Sequence, residues 1–405
     1  MDLNKYTHNY FLILFSLIPI SIIIGSSVSL INILLIDFSF IILIAYKKDY
    51  YFLKNKAIIY LLILYIYLIF NTFFSIDYSE GIFRNFGFLR IIIFFAAVNY
   101  FFQDEIFFKK VFKFWIIVIF IVLFDVFVEI FTGANILGFG EEINNRIVSF
   151  FKDEPIVGGY LNGFYLIIIG FLFNEFKDNK NYLIILLAII FIIMILLTGE
   201  RSSAIKAILG ISLFFLIYKN LDIKKRISIF LTIIVLTLIL VFNLSFLKLR
   251  FVNQVNSLLS NQKNIYFQLY KSGIEVFNKN KFLGVGNKNY RVETCKNINN
   301  NEKYVCSTHP HQIYFELLSE HGLIGTLIIL TIFYKLIFSK ILGTFRKSNH
   351  LKIGSLIYLI FVFTPVIPSG AFFTDNTLTI FAINLSIFYA SDKESNVFKK
   401  NKQNI

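Results

Sequence analysis

The residues best suited to chemistry sit in one polar stretch, Cys306-Ser-Thr-His309-Pro310-His311-Gln312, which runs through Glu316, Glu320, His321 and Gly322 to Gly325 and into an apolar segment. Proline suits a first helical turn, and Thr308 or His309 can cap it. The sequence thus predicts His311 in the first turn of a helix running through Gln312, Phe315, Leu318 and Ser319. A helix N-terminus carries partial positive charge, which disfavours imidazolium and keeps His311 neutral, the state a general base requires. The plainer alternative is a histidine that only caps a loop. His309 and His311 are two apart and His321 lies ten beyond, without the i, i+4 pair and intervening Glu of zinc hydrolases, so no metal is expected here. Glu316 and Glu320 read as a solvated helix face, Glu320 at most supporting the site.

A second charged turn, Thr198-Gly199-Glu200-Arg201-Ser202-Ser203, falls between two apolar runs. Charge at such a boundary is costly without a partner. Arg201 reads as a phosphate ligand, because guanidinium matches phosphate oxygens in bidentate geometry; the alternative is a local Glu200–Arg201 ion pair. The segment Arg146 to Tyr160, with Arg146 and Lys152, could add charge to a groove or be an ordinary loop. Gly284-Val-Gly286-Asn-Lys-Asn-Tyr290 neither follows a strand nor opens a dinucleotide-type helix, so a nucleotide-binding reading fails. The two cysteines, Cys295 and Cys306, would form a disulfide in an oxidising compartment, stabilising their loop by roughly 2–4 kcal/mol, or remain free thiols. Asp37, Asp125 and Glu129 fall within apolar runs but form no series along one path, which argues against a proton relay.

What must position these groups is a membrane bundle. The 405 residues are 57% hydrophobic and 16% charged, with 51 Phe. Apolar runs long enough for a hydrocarbon core of roughly 30 Å fall near 10–26, 28–46, 57–74, 86–102, 112–131 and 157–174. Six more fall near 182–198, 203–218, 227–243, 321–342, 354–370 and 376–391. The expected fold is an all-α transmembrane bundle of about twelve spans, a single integral-membrane domain over 1–405. Lysine in the short loops (Lys47 to Lys56, Lys109 to Lys113, Lys177 and Lys180, Lys219 to Arg226, Lys335 to Lys352, and the tail from Lys393) sets one side as cytoplasmic. Both termini are then inside. One large periplasmic loop, 244–320, precedes the last three spans and holds an amphipathic helix from Asn264 to Asn278. The N-terminus reads as a retained anchor, since no small-residue cleavage site follows it. The net charge of +14 is scattered over these loops, which excludes a nucleic-acid face. Arginine behaves differently: of the eight, Arg84, Arg90, Arg146, Arg201, Arg250 and Arg291 fall on the outward side, and Arg226 and Arg346 inside. That bias points to an outward pyrophosphate ligand or to contacts with lipid headgroups.

With these residues in view, the chain resembles the O-antigen ligase and O-antigen polymerase superfamily of bacterial envelope glycosyltransferases. The family's motif of His, then Asn, Ser or Gln, nine residues, Gly, two residues and Gly is met by His311-Gln312, Gly322 and Gly325. The turn at Thr198–Ser203 looks like the family's outward Ser/Glu-Arg-Ser turn, and Gly284–Tyr290 is similar to its Gly-x-Gly segment. The resemblance covers nearly the whole chain by topology. It implies inverting, metal-independent glycosyl transfer, with no cofactor, at the periplasmic face of the inner membrane. The donor it implies is a glycan on a polyprenyl diphosphate, usually undecaprenyl, and the acceptor is a sugar hydroxyl. For a ligase that hydroxyl is on lipid A core, the first choice here, and for a polymerase it is on another lipid-linked repeat unit; a relative that glycosylates pilin is a further possibility. In these terms His311 takes the acceptor proton and Arg201 stabilises the leaving diphosphate. Arg291, Arg146, Gln312 and Glu200 contribute to substrate binding, while Cys295 and Cys306 hold the loop and Gly322 and Gly325 let the next span pack closely. A non-enzymatic transporter or flippase of lipid-linked sugars is the alternative from another class; twelve spans suit it, but no internal repeat is visible.

Overall fold

A computed structural model describes residues 3–140, 146–152, 154–176, 181–256, 264–298 and 302–399. Lys177, Lys180, Asp153 and the tail beyond Lys399 lie outside the described residues. Every ordered element among them is helical. In chain order the helices are α1 (Leu3–Ser16), α2 (Ile18–Ile24), α3 (Ser26–Lys47), α4 (Lys56–Phe73), α5 (Tyr78–Gly87) and α6 (Leu89–Phe101). Then come α7 (Glu105–Thr132), α8 (Val157–Glu175), α9 (Asn181–Leu197), α10 (Arg201–Ile217), α11 (Ile223–Asn243) and α12 (Ser245–Lys248), the last running into a π-helical turn at Leu249–Asn253. The chain continues through α13 (Ile265–Lys279), α14 (Tyr290–Lys296), α15 (Ile313–Leu336), α16 (Ile341–Arg346), α17 (His350–Val362) and α18 (Asp375–Ala390).

Each of the twelve expected spans overlaps a helix, though the one near 354–370 runs past the end of α17 at Val362, and they are not equivalent. Seven helices are long and apolar enough to cross a bilayer, or eight if α1 and α2, bent by 42°, form one broken span. The expectation of twelve is not met by this measure, and the reason is length. With a 1.5 Å rise per residue, the 17 residues of α9 and of α10 each advance about 25 Å, less than the hydrocarbon thickness, and α17 and α18 are shorter still. These four pack against the deeply buried α8 at the centre of the bundle. Gly170 and Gly354 permit the close approach of α8 and α17: a Cβ on Gly354 would meet the backbone of Leu166 and Ile167, and one on Gly170 that of His350 and Leu351.

The amphipathic helix expected from Asn264 is present as α13, with Asn264 as its cap accepting from the Tyr266 amide at 2.9 Å. The Cys295–Cys306 disulfide is formed and closes the segment after α14. The Gly284–Tyr290 segment has a role that composition did not reveal. Helix α15 breaks at Gly322, whose φ of 62° lies in the left-handed region. Such a break strands the carbonyls of the first half and the amides of the second. Residues 281–286 splice it. The carbonyls of Lys281 and Phe282 accept from the Leu323 and Ile324 amides at 2.7 and 3.1 Å, and the Val285 and Gly286 amides donate to the Ser319 and Glu320 carbonyls at 3.0 and 2.9 Å. A Cβ on Gly322 would meet the backbone of Phe282 and Gly284, so this glycine admits the loop rather than a neighbouring span. Gly325 does face a span: its missing side chain leaves room for the Tyr67 hydroxyl of α4.

Two sequence expectations are corrected here. Glu316 and Glu320 are not on a solvated face; both are buried. Glu316 accepts from the Phe372 amide through both carboxylate oxygens, at 2.9 and 3.0 Å, and Glu320 accepts from the Tyr290 amide at 3.3 Å. Each carboxylate ties a loop to α15. Arg84 and Arg90 are likewise structural, both reaching Asp375 at the start of α18, with Arg84 also donating to the Phe373 carbonyl.

Candidate functional site

At one end of the bundle the starts of α8, α10, α13 and α18, the residues just before α15 and the π turn after α12 surround a cavity of about 360 Å³. It lies over the short helices α10, α17 and α18, where the bundle is shallowest. Its deeper wall is apolar, formed by Leu166, Tyr358, Phe361, Val362 and Ile380. Its upper wall is cationic, from Arg146, Arg201, Lys206 and Arg250. His311 lines the same cavity as Arg201, so residues about 110 positions apart in sequence meet at one site.

Arg201 is the first residue of α10, and its Nη1 is buried without a hydrogen-bond partner, as is Nε of Arg146. Arg250 is pinned from behind, its Nε and Nη2 donating to the Gly199 carbonyl at 3.2 and 3.1 Å and its Nη1 to Gln254 at 3.2 Å. Burial, then the neighbouring Arg146 and Arg201 charges, lower the Arg250 pKa to about 10. Glu200 does not pair with Arg201. Its carboxylate accepts from the Gly158 and Gly159 amides at 2.6 and 3.0 Å and from the Ser203 hydroxyl at 3.0 Å. Burial pushes it up to about 7, while those hydrogen bonds and Arg146 pull it down. The carboxylate therefore clamps the start of α8 to the turn that carries Arg201. With four cations against this one carboxylate, the cavity is matched in charge to a multivalent anion.

His311 does not lie in the first helical turn, as expected with Thr308 or His309 as the cap, but just outside the helix, before its cap. It has φ 56°, and α15 begins at Ile313 with Gln312 as its cap, Oε1 accepting from the Tyr314 and Phe315 amides at 2.8 and 3.1 Å. A left-handed non-glycine residue held beside a cavity is a strained conformation of the kind found at functional sites. The Ser369 amide fixes it by donating to the His311 carbonyl at 2.9 Å. Neither ring nitrogen has a hydrogen-bond partner among the described residues, and the ring lies 4.0 Å, centroid to centroid, from His309 and 6.3 Å, edge-on, from Tyr266. Burial lowers the His311 pKa below its ordinary 6.5, and lowers that of His309, beside the His311 ring, to about 4. His309 is held between Thr308 at 2.9 Å and the Ser369 carbonyl at 3.3 Å.

The other expected residues divide cleanly. Arg146 and Glu200 line the cavity. Gln312 does not; its amide serves the helix cap. Arg291 is exposed on α14 and is not brought to the cavity. Sequence reasoning passed over Lys206 and Tyr266 and did not select Arg250. Lys206 had a visible signal, a lysine inside an apolar run; Tyr266 had none, being one of 22 tyrosines.

No curated protein matches the chain. Residues 186–330, which include Arg201, Arg250 and His311, match the family model described as O-antigen ligase, so this part of the chain is similar to that family, whose members are glycosyltransferase-like enzymes.

Proposed function

We propose that the cavity transfers a glycan from a polyprenyl-diphosphate carrier to a sugar hydroxyl on lipid A core, on the periplasmic side of the inner membrane. The observation that carries this reading is the convergence of Arg146, Arg201 and Arg250 with a hydrogen-bond-free His311 above an apolar wall. The guanidiniums suit the diphosphate, and the apolar wall suits the first isoprene units of its lipid. The acceptor oxygen attacks the anomeric carbon and its proton passes to His311. The bond from the anomeric carbon to the phosphate oxygen breaks with its electron pair leaving on the diphosphate, where Arg201 and Arg250 stabilise the developing charge. Single displacement inverts the anomeric centre. A second cavity of about 310 Å³ adjoins the first at Ile156 and Asn376; beside apolar residues such as Ile22, Ile24 and Phe151 it is lined by Ser26, Ser27, Lys152 and Asp375, a polar side suited to a sugar acceptor.

Purified protein in proteoliposomes, supplied with a polyprenyl-diphosphate glycan and lipid A core, is expected to yield glycosylated core with an inverted linkage. A product formed only with a second lipid-linked repeat would replace ligase by polymerase, and movement of intact donor without transfer would replace the enzyme by a flippase.

A further inference from the structure

A second charged cavity, of about 450 Å³, lies at the opposite end of the bundle. Helix α15 starts beside His311 and ends, beyond its break at Gly322, at Leu336 close to this cavity. Likewise α18 carries Asn376 and Thr377 at the first cavity and Tyr389 at the second. Five lysines line it: Lys54 and Lys56 before and at the start of α4, Lys335 and Lys340 around the end of α15, and Lys399 from the segment after α18. None is within ion-pair distance of a carboxylate among the described residues, though the charge of Lys399 acts on Glu394. The one carboxylate in the lining, Glu394, is taken by Lys347, and nearby Asp392 by Lys347 and Lys352.

Lysine-rich loops on one side of a membrane follow from topology alone. Topology needs only their number, however, and is indifferent to whether they meet. Here three stretches, the first more than two hundred residues from the other two, place ammonium groups around one concavity. Its remaining wall holds Tyr51, Tyr60 and Tyr389, and Lys340 Nζ lies 5.6 Å over the Tyr389 ring. Tyrosine is the side chain of a bilayer interface, apolar in body and polar at its tip. Leu53, Ile59 and Tyr334, neighbours in sequence of the lining residues, are exposed by 41–55% on the bundle exterior, where acyl chains would lie.

We propose that this cavity binds the phosphate of an anionic phospholipid headgroup, with the lysines as point charges on the phosphodiester and the acyl chains along the adjoining apolar surface. The site is independent of the transfer reaction at the other end.

Native mass spectrometry and thermal unfolding of the full chain in detergent, titrated with phosphatidylglycerol, phosphatidylcholine or inorganic phosphate, test it. Phosphatidylglycerol is expected to bind and raise the unfolding midpoint, phosphatidylcholine to do neither, and the K54Q/K56Q/K335Q/K340Q variant to lose roughly tenfold or more in phosphatidylglycerol affinity. The corresponding four Lys→Arg changes should retain binding, separating loss of charge from loss of fold. K224Q/K225Q, at the start of α11 and outside the cavity, should change nothing. Undiminished phosphatidylglycerol binding by the four-glutamine variant, equal binding of phosphatidylcholine, or equal stabilisation by inorganic phosphate alone would overturn the assignment.

Discussion

Replacing Arg201 by lysine keeps the charge and removes the fork. Its Nη1 is buried and free of partners among the described residues, and under the proposed function it is the group that meets a diphosphate oxygen. Lysine retains one donor toward that oxygen and loses the second, parallel bond. A hydrogen bond to a charged group contributes about 1.5–3 kcal/mol, which at 1.36 kcal/mol per decade corresponds to roughly ten- to a hundredfold. Because the charge on the leaving diphosphate grows as the sugar departs, the loss should appear mainly in kcat, with KM changed less. Arg201→Gln, which also removes the charge, should lose more. The assay is transfer of a labelled glycan in proteoliposomes, beside the thermal unfolding midpoint of each variant. Wild-type kcat for Arg201→Lys would refute bidentate recognition, and a decrease explained wholly by unfolding would reassign Arg201 to structure.

Burial lowers the His311 pKa below 6.5, and a base acts only when neutral; activity should therefore be level above pH 6.5 and fall only at more acid pH, and a pH–rate profile with its acid limb above 6.5 would contradict this. His309 titrates near 4 in the fold against 6.5 unfolded, so its contribution to stability is complete above pH 6.5 and lost as pH falls towards 4; thermal unfolding at stepped pH should show the midpoint falling across that window. Glu200→Ala leaves the Gly158 and Gly159 amides without their acceptor and should lower both the unfolding midpoint and kcat, whereas Glu200→Gln, keeping one acceptor, should lose less. Gly322→Ala adds a Cβ against the Phe282 and Gly284 backbone at a positive φ and should cost about 1–3 kcal/mol or more, read as loss of folded protein on size exclusion.

The site was legible in the sequence where function requires a rare residue in an unusual place. A histidine after proline in a polar island, and arginine beside glutamate between apolar runs, stand out against 57% hydrophobic residues, and the structure brings His311 and Arg201 to one cavity. Helix positions were legible too, because apolar runs mark them directly. What the sequence hid was pairing at a distance. Glu316 and Glu320 have the i, i+4 spacing of a solvated face, and only the docking of Phe372 and Tyr290 onto α15 makes them buried acceptors. Arg84 and Arg90 shared the outward bias of Arg146 and Arg201 but meet Asp375, nearly three hundred residues later. Gln312 fits a binding motif and an N-cap equally well by residue type; backbone geometry decides for the cap. The span count exceeds the number of full-length apolar helices for a related reason, since α9, α10, α17 and α18 are short but keep the composition of full-length ones.

The most direct test of the account is His311→Ala in the reconstituted transfer assay with purified lipid-linked glycan and lipid A core. The account predicts a correctly inserted, folded protein that still binds the donor and forms no glycosylated core. Turnover at the wild-type rate would contradict the assignment of His311 as the base and, with it, the proposed reaction at this cavity.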